Sequence, residues 1–439
     1  MAVAAALLSP LGGAGAQSKQ PQQRVEPPKT VYWMTAATQT GFGFAPGAAP
    51  DMGQIMRMAM GGRGGGSVRS LELDLGSRHA ATPPPPSSLV ATHAIPPGMA
   101  MGAGLPLRSP PAPVRGREEP SEPPEFERPK GRLLLFWGCG ETARPGQPVV
   151  IDFARVAEGQ IPPGLFAGER IRIARPPSRS TWPTFGEWPN DDRAAGSKPI
   201  PAAASLVGPH RITGNYTPPI EFDLQQDWMA GLALNQRRLP SGAVELAWNA
   251  IPGATAHFAQ MVGGSDERGE PVMVFWSSSE VQTFVSGLSD HIAPAEAARL
   301  VRTRQLLAPT QTSCAIPKEA VSAAEGGLLS LVAHGPEVNY IHPPRPADPR
   351  TPWIQEWAVK ARFASRAGAI LGMEGQAIAG ASGERSQGRR VCRRDTAEQA
   401  GREIGGAVIG GGFGRVVGGA IGGLGRRKQA QQAEEECED

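Results

Sequence analysis

Few side chains in this sequence stand at spacings that could do chemistry. His334 and His342 flank Glu337 in HGPEVNYIHPP, and two imidazoles beside a carboxylate are a ligand set for a divalent metal. Pro336 and the Pro343–Pro344 pair bar a helix there and predict a rigid extended loop. No further convincing ligand accompanies them, so a surface strand edge is the plainer reading. Met52, Met56, Met58 and Met60, with Met99 and Met101 beyond them, form a thioether cluster of the soft kind that suits Cu(I). The ordinary role of such methionines is flexible packing. Cys139 in WGCGE has glycines on both sides that would let a carbonyl approach. A nucleophile also needs a base and an oxyanion donor, and neither can be picked out, which leaves a buried thiol or half of a disulfide. Trp182, Phe185 and Trp188 lie in STWPTFGEWPNDDRAAG: exposed, they would stack on sugars or a peptide; buried, they would staple two domains.

No nucleophile elbow, H-E-x-x-H, P-loop or dinucleotide fingerprint occurs, so no catalytic residue and no cofactor is nominated. The net charge of +3 is too small to point to a nucleic-acid partner. The first residues, AVAAALLSPLGGAGA, read as the apolar core of a secretory signal over 1–16 without a basic n-region, or else as an Ala/Gly-rich terminus. No cysteine follows that run, so no lipid-acylation site is visible. In an exported protein the four cysteines allow disulfides, and the expected pairs are Cys139 with Cys314 and Cys392 with Cys437. Four reduced thiols are the alternative.

Glycine (56) and proline (45) together approach a quarter of the 439 residues, above the usual level but short of a wholly disordered chain. The elements read as mainly β, arranged as tandem sandwich-like domains. Region 17–130 alternates short strands with low-complexity loops such as GGRGGG and PPPP, and Leu71, Leu73 and Leu75 carry its clearest period of two. Region 131–179 completes a first sandwich, with an apolar run at 133–137, alternation at Val149, Ile151 and Phe153, and again at Ile171 and Ile173. Residues 180–199 read as a Trp/Pro-rich connector. Residues 200–375 form the best-defined module, with strands at 255–262, 272–276, 328–333 and 357–363. In the last, Trp357, Val359, Ala361 and Phe363 share one face and Lys360 and Arg362 the other. APAEAARLVRTRQLL (293–307) has helical spacing with Pro294 in the first turn. A linker (376–400) and an acidic tail (429–439) flank a glycine-rich stretch (401–428).

Within that stretch Gly406, Gly410, Gly414, Gly418 and Gly422 recur every four residues, which on a helix makes a stripe that admits a second backbone. In water each glycine costs a helix roughly 1 kcal/mol relative to alanine, whereas lipid makes backbone hydrogen bonding obligatory. The reading is a membrane or oligomer helix over 401–425, with Arg415 making a lone span marginal; a Gly-rich tail is the alternative. The segment resembles the glycine zippers of bacterial outer-membrane lipoproteins of the rickettsial surface-antigen type, although those usually carry two copies. VELAWNAIPGATAHFAQMV (244–262) resembles the second and third strands of fibronectin type III-like domains, where a core tryptophan precedes a Pro-Gly-Ala turn. Together these imply a non-enzymatic bacterial envelope protein, exported to the periplasm or outer membrane, self-associating or membrane-bound, with β domains for a protein or glycan. A soluble periplasmic Cu(I) binder and an enzyme with a dispersed site are the alternatives.

Overall fold

The structure is a computed structural model that describes residues 23–41, 67–82, 89–110, 131–158, 160, 171–189, 199–283 and 287–372. The signal-like segment 1–16, Met52, Met56, Met58, Met60, Cys392, Cys437 and the glycine stretch 401–425 lie outside the described residues.

The chain begins with β1 (Val25–Glu26), β2 (Thr30–Gly41), β3 (Val68–Ser77), β4 (Ala91–Ala94) and β5 (Gly104–Leu107). There follow β6 (Arg132–Trp137), β7 (Val149–Asp152), the short helix α1 (Phe153–Ala157) and β8 (Thr184–Trp188). The middle supplies β9 (Gly208–Gly214), β10 (Ile220–Leu224), β11 (Asn235–Arg238), β12 (Val244–Ala247), β13 (Ala256–Glu267) and β14 (Glu270–Ser277). The last elements are α2 (Pro294–Arg302), β15 (Ser313–Ile316), α3 (Lys318–Ala323), β16 (Gly326–His342), β17 (Trp353–Ile354) and β18 (Trp357–Ile370). The protein is mainly β, with several sheets.

The largest sheet has nine strands in the order β7-β6-β14-β13-β16-β18-β2-β3-β8. β10-β9-β4-β5 and β11-β12-β15 form a four-stranded and a three-stranded sheet, and β1 pairs β17. The long strands alternate as their sequences do. Tyr32, Met34 and Ala36 of β2, Leu71, Leu73 and Leu75 of β3, and Val359, Ala361 and Phe363 of β18 are buried in one main core. That core also takes Leu107, Ile212, Ile220, Leu246 and Ile316 from the two smaller sheets, so these sheets cover one face of the large one. Fully burying a side chain of this size stabilises the fold by about 1.5–3 kcal/mol.

Several sequence expectations change here. The strands of 17–130, which its low-complexity loops separate, are built into the large sheet: β2 pairs β18 in parallel and β3 in antiparallel fashion, two strands in from the β8 edge. The segment 180–199 is not only a connector, since β8 pairs β3 as an edge strand. Strands from 17–130, 131–179, 180–199 and 200–375 therefore share one sheet, and they do not pair as two tandem sandwiches. Its parallel pairs, β14 with β6 and β18 with β2, also set it apart from an all-antiparallel sandwich. Phe153 does not extend β7. Asp152 accepts hydrogen bonds from the Ala154 and Arg155 amides at 2.9 and 3.2 Å, an N-cap that turns the chain into α1. Ile171 and Ile173 join no ladder; they pack on a second core cluster around Leu288 and Leu300. α2 starts on Pro294, as its sequence predicts.

The region 334–342 is not a loop. β16 runs through it with a bulge between His334 and Glu337. Pro336 has no N–H for a ladder, and a bulge is where a central strand tolerates proline. At Gly335 a β-carbon would collide with the Phe363 carbonyl and the Met229 sulfur, so the bulge needs glycine on packing grounds.

Candidate functional site

The bulge decides which side chains meet. Residues three apart on a regular strand point to opposite faces, but His334 pairs Ala364 and Glu337 pairs Arg362, and both partners share one face of β18. The extra residue thus brings His334 and Glu337 to the same side of the sheet, the side away from the main core. His342 pairs Trp357, on the opposite face and roughly 25 Å farther along the strand. The His334–Glu337–His342 metal set is therefore not assembled. Among the described residues no group of three or more His, Cys, Asp or Glu is placed to hold a metal.

Glu337 gathers another set of partners. Lys360 Nζ donates to its Oε1, Asn339 Nδ2 donates to the same oxygen at 2.9 Å, and His291 Nε2 stands 3.4 Å from Oε2. Burial by itself would raise the Glu337 carboxyl, but these donors outweigh it and hold the group down at about 2. Next in the row, Arg362 donates from Nε to Thr35 Oγ1 at 2.7 Å and from Nη1 to the Ala174 carbonyl at 3.3 Å. The second bond ties the 171–178 stretch across the sheet. Trp33 lies among these cations, with Arg362 Cζ 4.9 Å and Lys360 Nζ 5.3 Å from its ring centroid, within cation–π range. Asp74, opposite Trp33 on β3, is pushed up to about 7 by burial and by Glu72, with Arg362 pulling the other way. Asp74 and Glu337 stand three strands apart in the sheet order, with Arg362 and Lys360 on β18 between them.

His334 is fully enclosed on this face. Burial, then the nearby Arg366 and His291, push its imidazole down to about 3. The Leu288 carbonyl faces the ring without forming a well-aligned bond to either nitrogen.

On the other face, a second buried polar array joins the large sheet to the four-stranded one. Tyr32 Oη lies 2.8 Å from His93 Nδ1, His93 Nε2 lies 2.8 Å from His210 Nδ1, and His210 Nε2 lies 2.7 Å from the Leu206 carbonyl. A carbonyl can only accept, so His210 carries its proton on Nε2. Its Nδ1 then accepts from His93 Nε2–H, and His93 Nδ1 accepts from the Tyr32 hydroxyl. Burial lowers both imidazoles, consistent with a neutral, fully directed chain. Phe222 stacks on His210 with ring centroids 5.0 Å apart.

Of the other residues singled out in the sequence, Met99 and Met101 are buried in the main core, where their thioethers pack. Phe185 and Trp188 are buried in or beside β8, and Trp182 packs on Gly76 with Arg78 stacked on its ring. Cys139 and Cys314 form a disulfide with Cα atoms 5.0 Å apart, the first of the two pairings expected. It joins the turn after β6 to β15, beside the Gly140 amide's hydrogen bond to the Ala315 carbonyl, and so fastens the nine-stranded sheet to the three-stranded one. Of the face residues, Lys360 and Arg362 were legible from the alternation of β18. His291, Trp33 and Asp74 were missed, because each comes from a different, distant segment.

None of the protein-family models, curated proteins or solved structures with which the chain was compared matches it.

Proposed function

We propose that this chain is a non-enzymatic, exported bacterial cell-envelope protein that associates with a membrane or with copies of itself through 401–425. Its β scaffold holds a protein or glycan partner. The Cys139–Cys314 disulfide carries this reading, because such bonds persist in oxidising compartments and are rare in the cytosol. The apolar run over 1–16 supports the same compartment. The glycine stripe is the source of the membrane assignment; no helix among the described residues is long and apolar enough to cross a membrane.

For the partner we favour the polar face around Trp33, Glu72 and Asn339, where an aromatic ring sits among carboxylate, amide and ammonium groups. That mixture suits sugar hydroxyls or a polar peptide better than an apolar ligand. The fibronectin-like reading of 244–262 is supported by β12 and β13 lying in different sheets across the turn that ends at Ala254, with Trp248 buried beside it.

The test compares the full chain with a version ending at Ala400 in fractionated cells, and measures free thiols in each fraction. The expected result is full chain in the membrane fraction, truncation released, and Cys139 and Cys314 protected from alkylation until reduction. Cytosolic protein with both thiols free would refute the reading.

A further inference from the structure

Residues 287–307 form an insertion between β14 and β15 that lies on the outer face of the large sheet. Leu288, Ile292, Ala297, Leu300 and Leu306 from this insertion meet Ala256 and Phe258 of β13 in a small core separate from the main one. Two buried histidines, His334 and His291, line the seam, and a third, His257, lies at its edge with its ring turned to the main-core face against Trp248. His334 of β16 lies under the Leu288 carbonyl. His291, on the insertion, faces Glu337 of β16. His257 of β13 exchanges both backbone hydrogen bonds with Leu307, and its Nδ1 faces the Ala308 carbonyl at 3.4 Å.

The charges around the seam are mostly positive. His334 faces Arg366, His291 and His257, with no carboxylate acting on it. His291 faces Glu337, but also Arg362 and Lys360. His257 has only the Ala308 carbonyl beside its ring nitrogen and the Trp248 ring against it. Asp290, on the insertion, acts on Arg366. Glu296 of α2 is engaged by Arg299 and by the Arg172 amide. A proton added at His334 therefore meets the Arg366 guanidinium and no carboxylate, and one added at His291 finds a single carboxylate that Lys360 already holds.

We propose that residues 287–306 of this insertion are an acid-released clamp: protonation of the His291–His334 seam lifts them from the sheet while the main β core stays folded. The reason for local release is the unequal size of the two cores. The main core draws on three sheets, whereas the clamp is held by a handful of aliphatic side chains, and weakly held units open first. Opening hydrates the His291 and His334 imidazoles. Both are lowered in the closed state, with burial as the first cause. Stability of the closed form is complete above the ordinary histidine value and falls as pH drops below it.

The test is hydrogen exchange followed by mass spectrometry on the native full chain at pH 7.5 and 5.5, with rates corrected for intrinsic pH dependence. Each histidine that ionises only when the clamp opens raises the opening constant roughly tenfold across this interval. Protection of 288–302 should therefore fall at least tenfold, while β18 and β2 keep theirs. His334→Leu should remove about one tenfold step. If 288–302 loses protection only together with β18 and β2, there is no clamp. If His334→Leu and His291→Gln both leave the native acid response unchanged, the seam is not its trigger. The native-chain comparison decides the first point even where a variant fails to fold.

Discussion

The Tyr32–His93–His210 chain predicts a specific pattern of non-additive losses. Tyr32→Phe removes one hydroxyl and leaves His93 Nδ1 as a buried acceptor without a donor, because the Leu206 carbonyl fixes the opposite tautomer all along the chain. An orphaned buried polar group costs about 1–3 kcal/mol, so this variant should lose about 2 kcal/mol. His93→Leu strands two groups, the Tyr32 hydroxyl and His210 Nδ1, and by the same figure should lose about 4 kcal/mol. The double variant strands only His210 Nδ1 but keeps the poorer fit of leucine. Its loss should be no greater than that of His93→Leu alone, an interaction of at least about 2 kcal/mol in a double-mutant cycle. Urea unfolding at pH 8 with the disulfide intact measures all four corners. Nitrogen-15 shifts of the two imidazoles should also report protonated Nε2 and bare Nδ1. A Tyr32→Phe protein within 0.5 kcal/mol of native, or strict additivity, would refute the chain as a network. Both imidazoles are lowered by burial, so the native state binds fewer protons than the unfolded one. The chain's contribution is complete above about pH 6.5 and lost as the pH falls.

Three further outcomes follow from the geometry. Asp74 has the opposite sign to the histidines: its carboxyl is raised to about 7, so its contribution is complete below the ordinary carboxylate value and lost as pH rises through 7. Asp74→Asn should remove this loss and be more stable than native at pH 8 by on the order of 2 kcal/mol in thermal or urea unfolding; a less stable variant would show that the carboxylate is well paired. The Cys139→Ser/Cys314→Ser double variant opens a covalent loop spanning a sequence separation of 175 and should lose about 2–4 kcal/mol, read as a drop in urea midpoint that reducing agent reproduces in the native protein. Gly335→Ala drives a methyl group into the Phe363 carbonyl and the Met229 sulfur; a loss of about 1–3 kcal/mol in the same assay is expected for overpacking against backbone, and a neutral result would mean that the bulge can shift.

What was legible in the sequence is what local periodicity records. The alternation of Leu71, Leu73 and Leu75, and of Val359, Ala361 and Phe363, reports a buried face directly, and Pro294 marks the start of α2. Partner choice was not legible. The partners of β2 are β18 and β3, and the first is more than 300 residues away with nothing local to announce it. Region 17–130 looked loosely organised because GGRGGG and PPPP separate its strands, yet loop length adds little to closure cost, since each doubling costs only about 0.6 kcal/mol. Trp188 looked like part of a connector because prolines surround it. Pro189 stands just past the end of β8, which lies at the sheet edge, where such residues do no harm.

The site shows the same limit in a sharper form. His334, Glu337 and His342 are close in sequence, but the strand puts His342 on the face opposite the other two. A two-residue period from His334 puts His342 on its own side and Glu337 on the other. The bulge at Gly335–Pro336 reverses both assignments. One extra residue thus removes a metal set that spacing suggested and creates the grouping of Glu337 with His291, Lys360 and Arg362. The proline that argued against a helix and the glycine before it were the visible signs of that residue. They identify a break in the ladder, but only the paired neighbours on β18 fix which way each later side chain points.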